Sequence, residues 1–444
     1  MRPIGIDLFA GAGGMSLGFE QAGFDLVAAV EVDPVHCAVH KFNFPETAII
    51  ARSVVGLSAA EIRLAAGIGD RQVDCVFGGP PCQGFSMIGQ RALADPRNRL
   101  VLEFVRIVAE MDASTFVFEN VKGLTLGSQR AFLEELVQAF DQAGYTVRMP
   151  WKVLNAAHFG TPQHRERLIL MGAKKGSALP DYPLPTTNPA GRCKTMSPIL
   201  AKGPTANEAI GDLPDVSRFA ALDGYDCVRT ATFKNPSNYA AEMRCLTNEA
   251  WHYGYVRNWN PGILTSSART SHTEISQRRF AATTVGAVEP ISRFFKLPPQ
   301  GISNTLRAGT DGARGAFTSA RPIHYAYPRC VTVREMARLH GFPDWFRLQA
   351  TKWHGARQIG NAVPAPLARA VGLAVMKALG KKPTRGNRAI DLGDPALLYM
   401  EMSHAAAHFG VIGLSGKRDR KSGAKKRKQE DIEAELIARR TGHG

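Results

Sequence analysis

A cysteine follows two glycines and two prolines in the stretch GGPPCQGFS, residues 78 to 86. An apolar run, residues 73 to 77, comes directly before it and predicts a buried strand that already contains Cys75. A cysteine needed only for packing would lie inside that run. Because proline fixes its own backbone and glycine permits sharp turns, this loop is expected to be stiff and to expose the Cys82 thiol. The pattern indicates a nucleophile.

A carboxylate ends a second apolar run, FVFENV, where Glu119 precedes an amide. An unpaired buried carboxylate is costly, so Glu119 is expected either to pair with a cation or to keep a proton. Gln163, Arg165 and Arg167 in QHRER share one face of a predicted strand, because side chains alternate along it. The structural alternative is a salt bridge from Glu119 to Arg165 or Arg167. The functional alternative is a carboxyl group with a raised pKa that donates a proton.

A glycine-rich turn, DLFAGAGG, lies between a predicted strand and a predicted helix. Its glycines permit a close backbone approach, and the helix N-terminus offers unpaired N–H groups. Glu31, about twenty residues further on, can hold ribose hydroxyls at the end of the second strand. No Gly-Lys-Ser/Thr follows, so a nucleoside without phosphates, such as S-adenosylmethionine, fits better than a triphosphate. A tight turn without a ligand is the structural alternative.

The elements that must position these residues alternate between strand and helix through the first half of the chain. This alternation predicts an α/β fold with a doubly wound, mainly parallel sheet. Ligands of such sheets gather at the carboxyl ends of the strands, where the glycine turn, Cys82 and Glu119 all fall. We assign a catalytic and cofactor-binding domain to residues 1–180. The pattern of residues 181–350 predicts a smaller, irregular, β-rich domain. Residues 351–380 are expected to form a helix that returns to the first domain, and residues 381–444 are expected to form a basic, partly disordered tail.

The composition narrows the function classes. The chain has 444 residues, 44% hydrophobic and 21% charged, which is typical of a soluble globular protein. No apolar run reaches the roughly 20 residues of a membrane span, and the N-terminus has no signal-peptide pattern. Seven cysteines without a Cys-x-x-Cys pair argue against a disulfide framework and against a zinc site, so we predict an intracellular protein without a metal. The net charge of +16 favours a polyanionic partner, but a ribosome or a membrane surface would suit it as well as DNA.

Six ordered motifs resemble those of the cytosine-C5 DNA methyltransferases: DLFAGAGG, GGPPCQGFS, FENVKG, QHRERL, REMARLHGFPD and QIGNAVP. The resemblance covers residues 4 to 370 and implies the Rossmann-like fold of S-adenosylmethionine-dependent methyltransferases. It implies that Cys82 is the nucleophile, Glu119 the acid, and Arg165 and Arg167 the substrate clamps. The residues that it implies for the cofactor pocket are Phe9, Gly11, Gly13, Glu31, Pro81, Leu100 and Asn361. One position departs from the family: Ser53 in ARSV stands where an Asp usually contacts the adenine amino group.

The composition of the middle segment predicts the binding partner. Nine arginines and one lysine lie between residues 257 and 329, against three acidic residues, and aromatic residues are interleaved with them, among them Trp259, Phe294, Phe295, Tyr325 and Tyr327. Arginine favours forked contacts with phosphate and guanine, so this segment is expected to bind double-stranded DNA; a solvated basic face is the alternative. The resemblance implies a target-recognition domain, in which SNTLRAGT, residues 303 to 310, resembles the family's Thr-Leu element. The basic tail either adds nonspecific affinity or only solubilises the chain.

The sequence therefore predicts a bacterial enzyme that methylates C5 of a flipped-out cytosine in a specific double-stranded DNA sequence. The route is a covalent bond between Cys82 and C6 of the base, and the expected setting is a cytoplasmic monomer that serves a restriction-modification system. Three alternatives stay open. They are a tRNA methyltransferase of the same fold, a catalytically silent DNA-binding regulator, and a cysteine hydrolase, for which no histidine is obviously placed to activate Cys82.

Overall fold

The computed structural model describes residues 2–81, 98–127, 129–191, 197–230, 232–309 and 321–411. Cys82 and the basic run that begins near residue 416 lie outside these ranges.

An eight-stranded sheet forms the centre of the described fold. Its strands are β1 (Ile4–Leu8), β2 (Asp25–Val30), β3 (Ala48–Ile50), β4 (Cys75–Gly78), β5 (Thr115–Val121), β6 (Tyr145–Val147), β7 (Lys152–Asn155) and β8 (Glu166–Lys174). The strand order is β3-β2-β1-β4-β5-β8-β6, and β7 also pairs with β8. The first five strands are parallel, and β8 runs antiparallel to β5, β6 and β7. The prediction of a doubly wound, mainly parallel α/β sheet is confirmed.

Helices cover both faces of this sheet. Those of the first half are α1 (Gly14–Ala22), α2 (Pro34–Asn43), α3 (Ala59–Ala66), α4 (Arg99–Glu110) and α5 (Gln129–Gln142). Successive strand side chains point to opposite faces. In β4, Val76 joins the core formed with α3, α4 and α5, whereas Phe77 joins the core formed with α1. Two-sided burial explains why these strands read as continuous apolar runs.

The middle segment consists of short elements. They are β9 (Thr187–Asn188), β10 (Ala201–Lys202), α6 (Ala206–Ile210), β11 (Val228–Arg229), α7 (Asn238–Met243), β12 (Val256–Asn258), β13 (Ile263–Leu264) and α8 (Glu274–Ala282). The chain then forms α9 (Val333–His340), α10 (Lys352–Asn361), α11 (Ala365–Ala378), β14 (Ala389–Asp391) and α12 (Met402–His408). Short 3-10 helices occupy Lys122–Thr125, Ala156–Phe159, Val216–Arg218, Ala220–Asp223, Asn248–Trp251 and Pro395–Tyr399. The domain boundaries at residues 180 and 350 stay predictions.

The helix α11 returns to the sheet and packs against α1. Glycine makes this approach close: a Cβ atom at Gly18 would lie 2.4 Å from the Cβ of Ala368. The stretch Lys352–Ala378 is long and apolar enough to cross a membrane by composition, but 67% of its most apolar window is buried inside the fold. Such burial is typical of a core helix.

The chain beyond α11 continues as part of the fold. The strand β14 pairs in parallel with β12, and α12 and the 3-10 helix Pro395–Tyr399 lie next to α2. Residues 381–411, which the sequence assigned to the tail, therefore contain a strand and helices packed on the rest of the chain. The remainder of that segment lies outside the described residues.

Candidate functional site

A cavity of about 910 Å³ opens at the carboxyl ends of β1, β2, β4 and β5. The residues singled out from the sequence that line it are Phe9, Gly11, Glu31, Pro81, Leu100, Glu119, Arg165, Arg167 and Asn361. Ser53 and the segment 305–308 line it as well. The order of the parallel strands brings these side chains together, since their carboxyl ends meet at one edge of the sheet. Cys82 lies outside the described residues, directly after Pro81.

Gly13 lies in the glycine turn, directly before α1. It is not part of the cavity lining; it precedes α1 with a φ of 99°, in the region that favours glycine. A Cβ atom there would lie 2.7 Å from the Phe44 ring and 3.1 Å from the His40 ring. Glycine at position 13 therefore allows this turn to pack against α2, and the assignment of Gly13 to the cofactor pocket stays a prediction.

The Glu31 carboxylate fixes the glycine turn to the end of β2. Its Oε2 accepts a hydrogen bond from the Gly11 N–H at 2.8 Å, and its Oε1 accepts from the Val32 and Asp33 N–H groups, both at 2.9 Å. Phe9 lies in the same turn with a φ of 63°, in the left-handed region that non-glycine residues seldom adopt. Strained backbone of this kind concentrates at functional sites. An anchored carboxylate beside a glycine turn fits the ribose of a nucleoside.

Ser53 occupies the cavity wall where the family usually has an aspartate. Its hydroxyl oxygen accepts a hydrogen bond from the Val55 N–H at 3.2 Å. A neutral hydroxyl with one acceptor site already used is a weaker partner for an amino group than an ionised carboxylate. Ser53 is therefore a weaker hydrogen-bond acceptor than the aspartate that the family pattern has at this position.

Asp7 is a buried carboxyl group of the cavity wall that sequence reasoning did not single out. The Ser16 hydroxyl donates to Asp7 Oδ2 at 2.6 Å and also lies 2.9 Å from His40 Nε2. Burial raises the pKa of Asp7 to about 8 and lowers the pKa of His40 to about 3. An acidic residue in the middle of the apolar run IGIDLF was the signal that could have identified it.

Glu119 and Arg167 form a largely buried ion pair in the wall of the cavity. Arg167 Nε lies 2.7 Å from Glu119 Oε1, and both side chains are almost buried. Burial raises the pKa of Glu119, and the charges of Arg167 and Arg165 oppose that rise. Glu119 therefore combines the structural and the functional alternative that the sequence left open: it has a salt-bridge partner, and its pKa lies above its ordinary value.

The loop that leads to Cys82 is tied to the strand that carries Glu119. The Asn120 side-chain amide donates to the Pro80 carbonyl at 2.9 Å. A Cβ atom at Gly79 would lie 2.6 Å from Glu119 Oε2, so only glycine lets this backbone pass so near the carboxylate. The segments GGPP and FENV are therefore fixed to each other, up to Pro81.

Arg165 is fully buried and holds two backbone carbonyls. Its Nη1 donates to the Leu306 oxygen at 2.9 Å, and its Nη2 donates to the Gly360 oxygen at 2.6 Å. Its Nε is buried and has no hydrogen-bond partner among the described residues. Much of this guanidinium therefore holds the cavity wall together, whereas Arg167 faces the acid.

The arginines of the middle segment divide into two kinds. Arg257 is buried and pairs with Glu20 at 2.7 Å, and Arg329 makes two 2.8 Å bonds to Glu335. Arg278, Arg293 and Arg307 are exposed, and Arg307 also lines the cavity. Part of the charge that the sequence assigned to DNA binding therefore stabilises the fold instead.

Comparisons with known sequences agree on one family. A model of the C-5 cytosine-specific DNA methylases matches residues 4–377. Type II methyltransferase M.XorII of Xanthomonas oryzae pv. oryzae (strain KACC10331 / KXO85) is 57% identical over 410 residues, which cover 92% of this chain and 93% of the relative. Type II methyltransferase M1.HphI of Haemophilus parahaemolyticus is 33% identical over 377 residues, 84% of this chain and 86% of the relative.

Solved structures agree with the sequences. A chain described as a DNA modification methyltransferase encoded within a prophage of E. coli is 30% identical, with a TM-score of 0.67 over 85% of this chain and 100% of that chain. The S. pombe Dnmt2 methyltransferase is 15% identical, with a TM-score of 0.50 over 85% of this chain and 99% of that chain, and shows similarity of fold alone.

Proposed function

Because the chain belongs to the C-5 cytosine-specific DNA methylase family, we propose that its cavity takes a cytosine flipped out of double-stranded DNA and that C5 of this base is methylated. The family model and the type II methyltransferase relatives identify the chain as a DNA cytosine-5-methyltransferase. The observation that carries the proposal is the placement of Glu119 and Arg167 in the same cavity as the glycine turn and Glu31. A base inside a duplex could not reach this cavity, so it must leave the stack.

The cofactor that fits this cavity is S-adenosylmethionine, which would be held by Phe9, Gly11, Glu31, Pro81, Leu100 and Asn361 of the lining, with Gly13 in the same glycine turn. The anchored Glu31 carboxylate suits the ribose hydroxyls of this cofactor. When bound, this cofactor supplies an electrophilic methyl group.

The residues of the chain activate the cytosine, which is a poor nucleophile at C5. The Cys82 thiolate forms a bond to C6, and the electron pair displaced from the ring is accommodated as Glu119 delivers a proton to N3. C5 becomes nucleophilic as a result. After methylation, a water molecule takes the C5 proton, the Cys82 thiolate leaves C6, and the N3 proton returns to Glu119, which restores the aromatic ring. Arg167 keeps the Glu119 carboxyl directed into the cavity through its 2.7 Å contact.

The cellular setting is inferred from the relatives. We propose a cytoplasmic monomer that acts on DNA, with a cognate restriction endonuclease as a functional partner, because the relatives are type II methyltransferases. The exposed Arg278, Arg293 and Arg307 would meet the phosphates, since arginine forms forked contacts with them.

Transfer of labelled methyl groups tests the proposal. The purified protein should label duplex DNA and leave tRNA unlabelled, and bisulfite sequencing should place the label on one cytosine of a fixed sequence. Cys82→Ala should abolish labelling and keep DNA binding, because the thiol is needed for addition to C6 and not for docking. Labelling of tRNA alone would support the RNA alternative, and binding without labelling by the wild type would support the silent regulator.

A further inference from the structure

Two segments far apart in sequence line the same cavity and meet in its wall. Residues 305–308 belong to the Thr-Leu segment, which we define as 303–309, and residues 361–363 belong to the NAVP loop, which is residues 361–364. Under the proposed function, the Thr-Leu segment contacts DNA and the NAVP loop contacts the cofactor. The Thr-Leu segment runs beside residues 162–164: His164 N–H donates to the Ser303 carbonyl at 2.8 Å, and Ser303 N–H donates to the Pro162 carbonyl at 2.9 Å.

A directed chain of hydrogen bonds joins the two segments. Leu306 N–H donates to Gln163 Oε1 at 3.0 Å, Gln163 Nε2 lies 2.9 Å from His340 Nδ1, and His340 Nε2 lies 3.1 Å from the Ala362 carbonyl. Because Oε1 of Gln163 is the acceptor, its nitrogen must donate. Nδ1 of His340 therefore accepts, and Nε2 carries the hydrogen that is donated to Ala362. The hydrogen-bond network thus assigns the tautomer of His340.

The two side chains in the middle of this chain are fully enclosed. Gln163 and His340 are both 0% exposed, so water cannot replace either partner. Removing one of them would leave buried polar groups of the other unsatisfied, which is costly in a low-dielectric interior. Burial, with the nearby charge of Arg165, also lowers the pKa of His340 well below its ordinary value. The neutral ring therefore keeps its donor and its acceptor through the physiological pH range.

Close packing extends this connection from the NAVP loop to the glycine turn before α1. A Cβ atom at Gly14 would lie 2.7 Å from the Val363 carbonyl oxygen and 2.8 Å from the Ala362 Cβ. Interiors packed this tightly transmit small shifts instead of absorbing them. A movement of Leu306 on DNA binding would therefore reach the start of α1 through Gln163, His340 and Ala362.

We propose that Gln163 and His340 are positioning residues that couple DNA binding at the Thr-Leu segment to cofactor binding at the NAVP loop. This proposal rests on the proposed function. Coupling of binding free energies is reciprocal, so DNA tightens cofactor binding by the same factor by which the cofactor tightens DNA binding. Arg165 spans Leu306 and Gly360 in parallel and contributes to the rigidity of the same wall.

Calorimetry with S-adenosylhomocysteine measures the coupling. The probe is titrated with and without a saturating duplex that contains the cytosine identified by bisulfite sequencing, and the ratio of the two Kd values is the coupling factor. For the wild type we expect a factor of about 5 to 150. His340→Phe should reduce it below about twofold, because phenylalanine neither accepts nor donates. His340→Gln should retain at least about half of it, since a glutamine amide can do both.

The controls separate positioning from folding. His404→Phe changes an exposed histidine of α12 and should leave the coupling factor at its wild-type value. If His340→Phe does not fold, Gln163→Leu breaks the same chain at its other bond and carries the test. A wild-type coupling factor in a folded His340→Phe or Gln163→Leu protein would overturn the proposal.

A measurement on the wild type needs no variant. Duplex alone should slow hydrogen exchange at residues 360–363, and unchanged exchange there would overturn the coupling. Wild-type protein that methylates DNA but shows no coupling contradicts this inference alone. Wild-type protein that methylates no DNA contradicts the proposed function.

Discussion

Glu119 is the residue whose protonation state should control the reaction. Burial raises its pKa, so its protonated form persists to higher pH than that of an exposed glutamate. If that proton is delivered to N3, kcat should fall as the pH rises through the raised pKa. Glu119→Gln keeps the size and cannot deliver a proton, so kcat should fall by about 10²- to 10⁴-fold and lose this pH dependence. Single-turnover methyl transfer across a pH series measures both.

The matched control for Glu119→Gln is Glu166→Gln on the adjacent strand. Glu166 pairs with Lys122 at 3.0 Å, and its side chain is 45% exposed. Exposed pairs contribute little, so this variant should keep the wild-type rate and pH profile. Equal losses in the two variants would assign the effect to the loss of a negative charge on β5 or β8 and not to acid catalysis.

Glu31 should determine the affinity for the cofactor. Its carboxylate accepts three backbone N–H groups and faces the cavity, so Glu31→Ala removes both the anchor of the turn and the ribose partner. With Ser53 in place of the usual aspartate, Glu31 carries a larger share of the affinity. A loss of about 1–3 kcal/mol corresponds to a rise of roughly 5- to 150-fold in the KM for S-adenosylmethionine.

Steady-state kinetics with the cofactor as the varied substrate checks this rise. Glu46→Ala removes an exposed carboxylate that pairs with Arg388 away from the cavity, and it should leave the KM unchanged. An unchanged KM in Glu31→Ala would place the cofactor elsewhere.

Between elements, α10 approaches the Thr-Leu segment closely in the cavity wall. A Cβ atom at Gly360 would lie 2.2 Å from the Ala308 backbone nitrogen. Gly360→Ala must therefore push the two elements apart, and overpacking of this kind costs about 1–3 kcal/mol. We expect a lower Tm and at least about tenfold slower methyl transfer.

Thermal melts and methyl transfer, measured on the same preparation, check this expectation. Gly224→Ala is the matched control, because its Cβ would meet nothing within 4 Å and its φ of −112° suits alanine. A wild-type Tm and a wild-type rate of methyl transfer in Gly360→Ala would show that the cavity wall accommodates the added methyl group without loss of stability.

Local sequence patterns predict the strands and helices well, but they predict the contacts between these elements poorly. The alternation of Val76 and Phe77 between two cores follows from the strand period, and so does the shared edge at which Glu119 and the glycine turn meet. The contact of Gln163 with His340 joins residues 177 positions apart, and no period or motif encodes it. The same holds for Arg257, whose charge suggests DNA until the fold places it against Glu20.

At the scale of the whole molecule, the C-terminal region should divide at residue 411. Residues 381–411 supply β14, which pairs with β12, and α12, which lies next to α2. A chain ending at residue 380 should therefore have a lower Tm and lose activity. A chain ending at residue 411 should keep both, but it lacks the run GKRDRKSGAKKRK and should bind DNA with a weaker salt dependence.

Melting curves and salt titrations of DNA affinity on the two truncated proteins distinguish these roles. Equal stability of both proteins would mean that β14 and α12 add nothing to the fold. An unchanged salt slope in the longer protein would leave the basic run as a solubilising extension only.

A covalent complex with modified DNA tests the whole mechanism, from base flipping to product release. Duplex DNA with 5-fluorocytosine at the target should form a stable adduct when S-adenosylmethionine is present. After Cys82 has added to C6 and C5 has been methylated, release requires loss of a substituent from C5. Fluorine cannot leave as a cation, so the thioether persists.

The adduct should survive a denaturing gel and map to the peptide that contains Cys82. It should be absent in Cys82→Ser and without cofactor, and Glu119→Gln should slow its formation, because N3 is no longer protonated as the thiolate attacks. Arg130→Gln is the matched control, because Arg130 is exposed on α5, where it pairs with Glu134 away from the cavity lining, and should leave the adduct intact. Efficient methylation of ordinary DNA with no adduct on the fluorinated duplex would contradict the covalent route and leave the family assignment in place.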